Sequence, residues 1–149
     1  MTLNERITED MKAAMKSGEK LKLETLRTVR AQFIEFSKRG SDKPITADDE
    51  LSIMLGAIKK RKEAIDLYQQ AGRKELVDQE SRELEILRTY LPKQMGKDEA
   101  EEIIKTIIRE VGASSPQDFG KVMGRVMKEL KGKLEGAAVQ DLVKKNLGG

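Results

Sequence analysis

Apolar residues recur at spacings of three and four along almost the whole chain, and nowhere do they alternate with polar ones as in a half-buried strand. That period belongs to helices that each bury one face. The first stripe is Leu3, Ile7, Met11, Ala14 and Met15; the second is Leu26, Val29, Phe33 and Phe36. Leu51, Met54, Ile58, Ile65 and Tyr68 run down a third, and Leu76, Leu84, Leu87 and Leu91 down a fourth. A fifth holds Ile103, Ile104, Ile107, Ile108 and Val111. Phe119, Val122, Met123, Val126, Met127 and Leu130 form the sixth, and Val139, Leu142, Val143 and Leu147 the last. The chain is expected to be all-α.

Punctuation residues divide these stripes. Thr2 with Glu5, and Asp98 with Glu101, have the spacing of capping boxes. Thr46 precedes Asp48, Asp49 and Glu50, acids that suit the positive end of a helix dipole. Ser17-Gly18, Ala71-Gly72, Gly112 and Lys131-Gly132-Lys133, where Gly132 can take a left-handed cap, read as helix stops, and Arg39 to Pro44 as a loop. The second helix is expected from about Glu19 to Lys38, and the fourth from about Arg73 to Leu91, ended by Pro92. Ser115-Pro116 reads as an N-cap followed by proline at the first helical position. Lys93 to Lys97 is polar, follows a proline and contains Gly96, so it is the expected domain boundary. The predicted organisation is a helical N-terminal domain of about four helices over 1–92 and a three-helix C-terminal domain over 97–149.

Charged residues make up 37% of the 149-residue chain against 38% apolar, where about a quarter charged is usual. Aromatics are only 3%, so the core must be aliphatic. There is no cysteine and no histidine, which excludes disulfides and thiolate chemistry. Zinc would need carboxylates alone, and the acidic groups sit where helix starts explain them. No metal and no cofactor are expected. No apolar run approaches the ~18 residues of a membrane span. Met1 to Arg6 does not resemble a signal peptide, so the cytoplasm is the expected compartment.

The net charge of +3 is small, but its distribution is not even. From Phe119 onward, seven cations (Lys121, Arg125, Lys128, Lys131, Lys133, Lys144 and Lys145) face three acids. From Lys97 to Asp118, three cations face six acids. On a helical wheel Lys121, Arg125, Lys128 and Lys131 lie opposite the sixth apolar stripe, with Gly120 and Gly124 among them. Glycine inside a helix costs roughly 1 kcal/mol relative to alanine, so both need a reason. One reason is a polyanion: lysines attract phosphate, and missing side chains let a sugar-phosphate strand lie close. The other is a neighbouring helix admitted by the small residues, with the lysines merely solvated. Lys59-Lys60-Arg61-Lys62 is the densest basic run, but four consecutive residues point around most of a helix and cannot form one patch. It reads as a solvated helix.

The run Phe119-Gly120-Lys121-Val122-Met123-Gly124-Arg125-Val126-Met127-Lys128, then Lys131-Gly132-Lys133, then Val139 and Leu142-Val143-Lys144, resembles the tail domain of the glutamyl/aspartyl-tRNA amidotransferase B subunit. The whole chain is similar to stand-alone members of the GatB/YqeY family. The turn departs from the usual pattern, with Leu134-Glu135-Gly136 after Lys133. The resemblance implies tRNA contact, since the amidotransferase tail is thought to make it. Carried over by position, the implied contacts are Gly120, Lys121, Gly124, Arg125, Lys128, Lys131 and Lys133.

Catalysis is another matter. A serine nucleophile needs a base and oxyanion donors, and the chain has no histidine and no glycine-rich serine loop. A phosphate-cradling loop ending in Lys and Ser or Thr is also missing. A carbon–nitrogen ligase label with glutamine as amide donor would therefore be inherited from the larger subunit. The expected function is an accessory tRNA-binding protein that is not catalytic alone. Its expected partners are tRNA and, with it, amidotransferase or aminoacyl-tRNA synthetase subunits, with neither membrane nor DNA. Two alternatives stand: an auxiliary component of glutamine-dependent amide transfer, and a helical protein-interaction module.

Overall fold

The computed structural model describes residues 1–39 and 43–148. The expected loop at Arg39 to Pro44 thus falls partly on Gly40, Ser41 and Asp42, outside the described residues. Seven α-helices and one short 3-10 turn are present, and no strand occurs among the described residues. The chain divides into two compact units, Met1–Leu91 and Pro92–Gly149.

The first unit holds α1 (Leu3–Ser17), α2 (Lys20–Lys38), α3 (Ala47–Gln70) and α4 (Lys74–Arg88). Thr2 opens α1 as expected: its hydroxyl accepts the Glu5 N–H at 3.1 Å, and Gly18 closes the helix at φ 79°. Thr46 opens α3 in the same way with Asp49, each backbone N–H meeting the other's side chain at 3.0 Å. Helix α4 stops three residues short of the expected Leu91. Its last turn tightens into i→i−3 bonds at Thr89, Tyr90 and Leu91, because Pro92 disfavours helical geometry in the residue before it.

The interior of this unit is built on Ile7, Leu26, Val29, Phe33, Met54, Ala57, Ile58, Leu84, Leu87 and Tyr90. Of the expected stripes, Met15 and Phe36 are 60% and 37% exposed, and Leu51, Tyr68 and Leu76 are only half-buried, outside this interior. Charged groups take part instead. Glu50, in the first turn of α3, is buried at 3% exposure, and its Oε2 accepts the Asn4 N–H at 2.9 Å. Tyr90 donates its hydroxyl to Asp10, and the Arg6 guanidinium lies 4.8 Å from the Tyr90 ring centroid. Burial and the Asp10 carboxylate push the Tyr90 hydroxyl well above its ordinary pKa. Arg61 leaves the expected solvated face and reaches α4, 3.2 Å from Glu83 and 3.6 Å from Glu80. Lys59 and Lys60 stay exposed.

The second unit holds α5 (Lys97–Val111), the 3-10 turn Pro116–Asp118, α6 (Phe119–Leu130) and α7 (Gly136–Asn146). Its interior is aliphatic: Ala100, Ile104, Ile107, Val122, Val126, Leu130, Val139, Leu142, Val143 and Leu147. The expected capping box of Asp98 and Glu101 does not form. Helix α5 starts two residues earlier, with Gly96 as N-cap and no side-chain cap. Glu101 instead meets Lys145 of α7 at 3.3 Å. Pro92 to Gly96 belongs to this unit rather than to a free linker. The Met95 N–H donates to the Lys133 carbonyl at 2.9 Å, and Gln94 Nε2 donates to the Gly132 carbonyl at 2.8 Å.

Candidate nucleic-acid interface

Ser115-Pro116 does not start α6 itself. Pro116 starts the 3-10 turn, and Asp118 holds it by accepting the Ser114 N–H at 2.9 Å and the Ser115 N–H at 3.4 Å. Those two N–H groups, with Lys121 nearby, keep Asp118 below the ordinary carboxylate range. Helix α6 then begins at Phe119, which places Gly120 in its first turn and Gly124 at mid-helix. Only Gly124 therefore carries the full cost of an interior glycine.

Val122, Val126 and Leu130 are buried, with Phe119, Met123 and Met127 half-buried beside them. The opposite face carries Gly120, Gly124 and Lys128, four residues apart on one ridge and all exposed. A Cβ built on Gly120 or Gly124 meets nothing within 4 Å. No segment among the described residues fills the gap that these glycines leave.

Lys121 and Arg125 form the neighbouring ridge, and both reach across to the end of α5. The Lys121 ammonium donates to the Val111 carbonyl at 3.1 Å. There it offsets the negative end of the α5 dipole, next to the left-handed cap Gly112 at φ 68°. Arg125 pairs with Glu110 at 3.1 Å, with the two side chains 46% and 52% exposed.

Helix α6 ends at Leu130, so Lys131 is not on its face as expected. Lys131 has φ −55° and ψ 126°, Gly132 has φ 78°, and the Lys133 N–H donates to the Leu130 carbonyl at 2.9 Å. That is a type II turn, whose third position requires a positive φ and hence glycine. Lys131 and Lys133 are half-buried on either side of it. The seven expected site residues thus separate into a ridge, a row latched to α5 and a turn.

Two relevant residues are not among the expected contacts. Lys144 of α7 lies with its ammonium 5.7 Å from the Phe119 ring centroid, bringing another cation to the start of α6. Gly56, in the middle of α3, is exposed and also open to a Cβ. Its position one turn before Lys60 repeats the relation of Gly124 to Lys128, and that repeat was visible in the sequence.

Fold and surface together define a two-unit all-helical protein whose small C-terminal unit presents an open glycine ridge bordered by cations. The chain belongs to the family described as Yqey-like protein, which it matches over residues 4–147. "Altered inheritance of mitochondria protein 41, mitochondrial" of Pyrenophora tritici-repentis (strain Pt-1C-BFP) is 35% identical over 132 residues, covering 86% of this chain and 71% of that protein. An uncharacterized protein of Schizosaccharomyces pombe is 38% identical over 80 residues, covering 53% of this chain and 63% of that protein. No helix among the described residues is long and apolar enough to cross a membrane.

Proposed function

We propose that this chain is an accessory tRNA-binding protein, not catalytic alone, acting beside tRNA-dependent amide transfer in the cytoplasm. The observation that supports the reading is Gly124. It is exposed, sits at mid-helix, and has open space where a side chain would be. Nothing that it packs against among the described residues offsets its propensity cost. A partner that approaches α6 from outside would supply the benefit. Lys128 on the same ridge and Lys121 and Arg125 on the next suit a polyanion with a phosphate backbone. Lys131 and Lys133 extend that charge onto the following turn. An A-form helix is met mainly through its shape, its 2′-hydroxyls and its phosphates, which fits a surface with no exposed aromatic side chain on the ridge.

Two changes test this in opposite directions. Gly124→Ala is expected to stabilise the fold by about 0.5–1 kcal/mol, because alanine is the better helix former and fits the space. The same change is expected to weaken tRNA binding, read by a gel shift with bulk tRNA at two salt concentrations. Replacing Lys121, Arg125 and Lys128 together by glutamate is expected to abolish binding while leaving helical circular dichroism intact. Binding that survives the triple change would overturn the proposal. A protein complex lost in Gly124→Ala while tRNA binding persists would favour the interaction-module alternative.

A further inference from the structure

We propose that the C-terminal turn of α5 is a built-in competitor for phosphate, and that Glu110 sets the affinity of the α6 face for RNA. The inference rests on the RNA reading above and adds a regulator to the same site.

A guanidinium donates to a carboxylate oxygen through the same charge-assisted bond that it offers a phosphate oxygen. In the free protein, Glu110 already takes that bond from Arg125 at 3.1 Å. The Val111 carbonyl likewise takes a donor from Lys121. An incoming phosphate gains only the difference between the new contact and the one that it displaces. The displaced pair is easily broken, because both partners are about half exposed and such pairs contribute little to stability. Glu110 also acts at a distance. With Glu102 and Glu129 it lines a groove along Ile103 and Ile107, on the side of α5 next to the Arg125 row. This acidic wall repels a polyanion and confines it to the glycine ridge. Lys121 donates to a neutral carbonyl, with the Asp118 carboxylate nearby but already held by two backbone N–H groups, so Glu110 is the acid in direct contact with this row.

The test uses the full chain and bulk tRNA, titrated at two salt concentrations. Glu110→Gln is expected to bind roughly two- to fivefold tighter than wild type, the range an exposed ion pair spans. Its affinity should also fall more steeply with salt, the logarithmic slope growing by about 1 as one more phosphate is neutralised. Glu99→Gln is the control: it makes the same charge change on the same helix about 16 Å away, and is expected to shift affinity less. In an Arg125→Gln background, Glu110→Gln is expected to gain less than it does in wild type, because only the repulsion at a distance is then left to remove. If wild type binds and Glu110→Gln binds equally or more weakly, the competitor is refuted and the RNA reading stands. The same holds if Glu99→Gln matches it, since net charge then explains the gain. If no variant binds tRNA at either salt concentration, both proposals fall.

Discussion

In the first unit, polar groups reach the interior: Glu50 and Thr25 are buried, Tyr90 bonds Asp10, and Arg61 bridges to Glu80 and Glu83. In the second unit, no polar or charged side chain is buried among the described residues, and the charges lie at its rim. The units solve different problems. A buried acceptor such as Glu50 must find its donor, so it ties α3 to the start of α1 in one arrangement. An aliphatic interior sets no such condition, which leaves the polar surface of the second unit free to vary. Its cations can exchange partners without disturbing the core.

Truncations should expose that contrast most strongly. Leu130 and Leu87 are both fully buried, one in each unit. Replacing either by alanine is expected to cost about 2–5 kcal/mol. In a unit spanning only Pro92–Gly149 that loss rivals the whole stability, so Leu130→Ala should unfold it. Leu87→Ala should leave the larger unit folded but weakened, as chemical denaturation followed by NMR would show. Equal outcomes would erase the difference.

A smaller effect is expected at Glu50. Its replacement by alanine strands the Asn4 N–H and should cost about 1–3 kcal/mol. Glu50→Gln keeps an acceptor oxygen and should recover much of the loss. No single exposed acid of the second unit should match the alanine penalty in thermal melts.

The smallest effect concerns Glu80. Burial and the adjacent Glu83 raise its carboxyl above the ordinary range, and Arg61 offsets this only in part. A raised folded-state pKa means that the fold prefers the protonated form. The resulting contribution is present at acid pH and is lost as pH rises through the shifted value. Glu80→Gln should therefore be at least as stable as wild type at pH 7. The two should converge below about pH 4, where the wild-type group is neutral in both states. A variant weaker at pH 7 would show that the attraction to Arg61 dominates.

Much of this was legible in the sequence because it is local. The three-and-four spacing identifies the helices, and Thr2, Thr46, Gly18 and Gly112 mark ends through contacts a few residues long. The errors arise where distant segments decide. Glu50 looked like one more first-turn acid, yet its partner is 46 residues away. Arg61 looked solvated until α4 supplied its carboxylates. The glycine ridge was readable from spacing, but the pairing of Arg125 with Glu110 was not, since it depends on how α5 lies against α6. At the ends of α6, Pro116 and Gly132 were recognised as punctuation, while the kind of turn each makes was not.

The bonds from Gln94 and Met95 to the turn at Gly132 and Lys133 bear on how the chain can be cut. A fragment beginning at Lys97 would keep all three helices of the C-terminal half but lose the upstream brace on its lysine-bearing bend. Such a fragment would measure a loosened version of the surface. Excision for binding work belongs just ahead of Pro92, so that the brace travels with the piece it steadies.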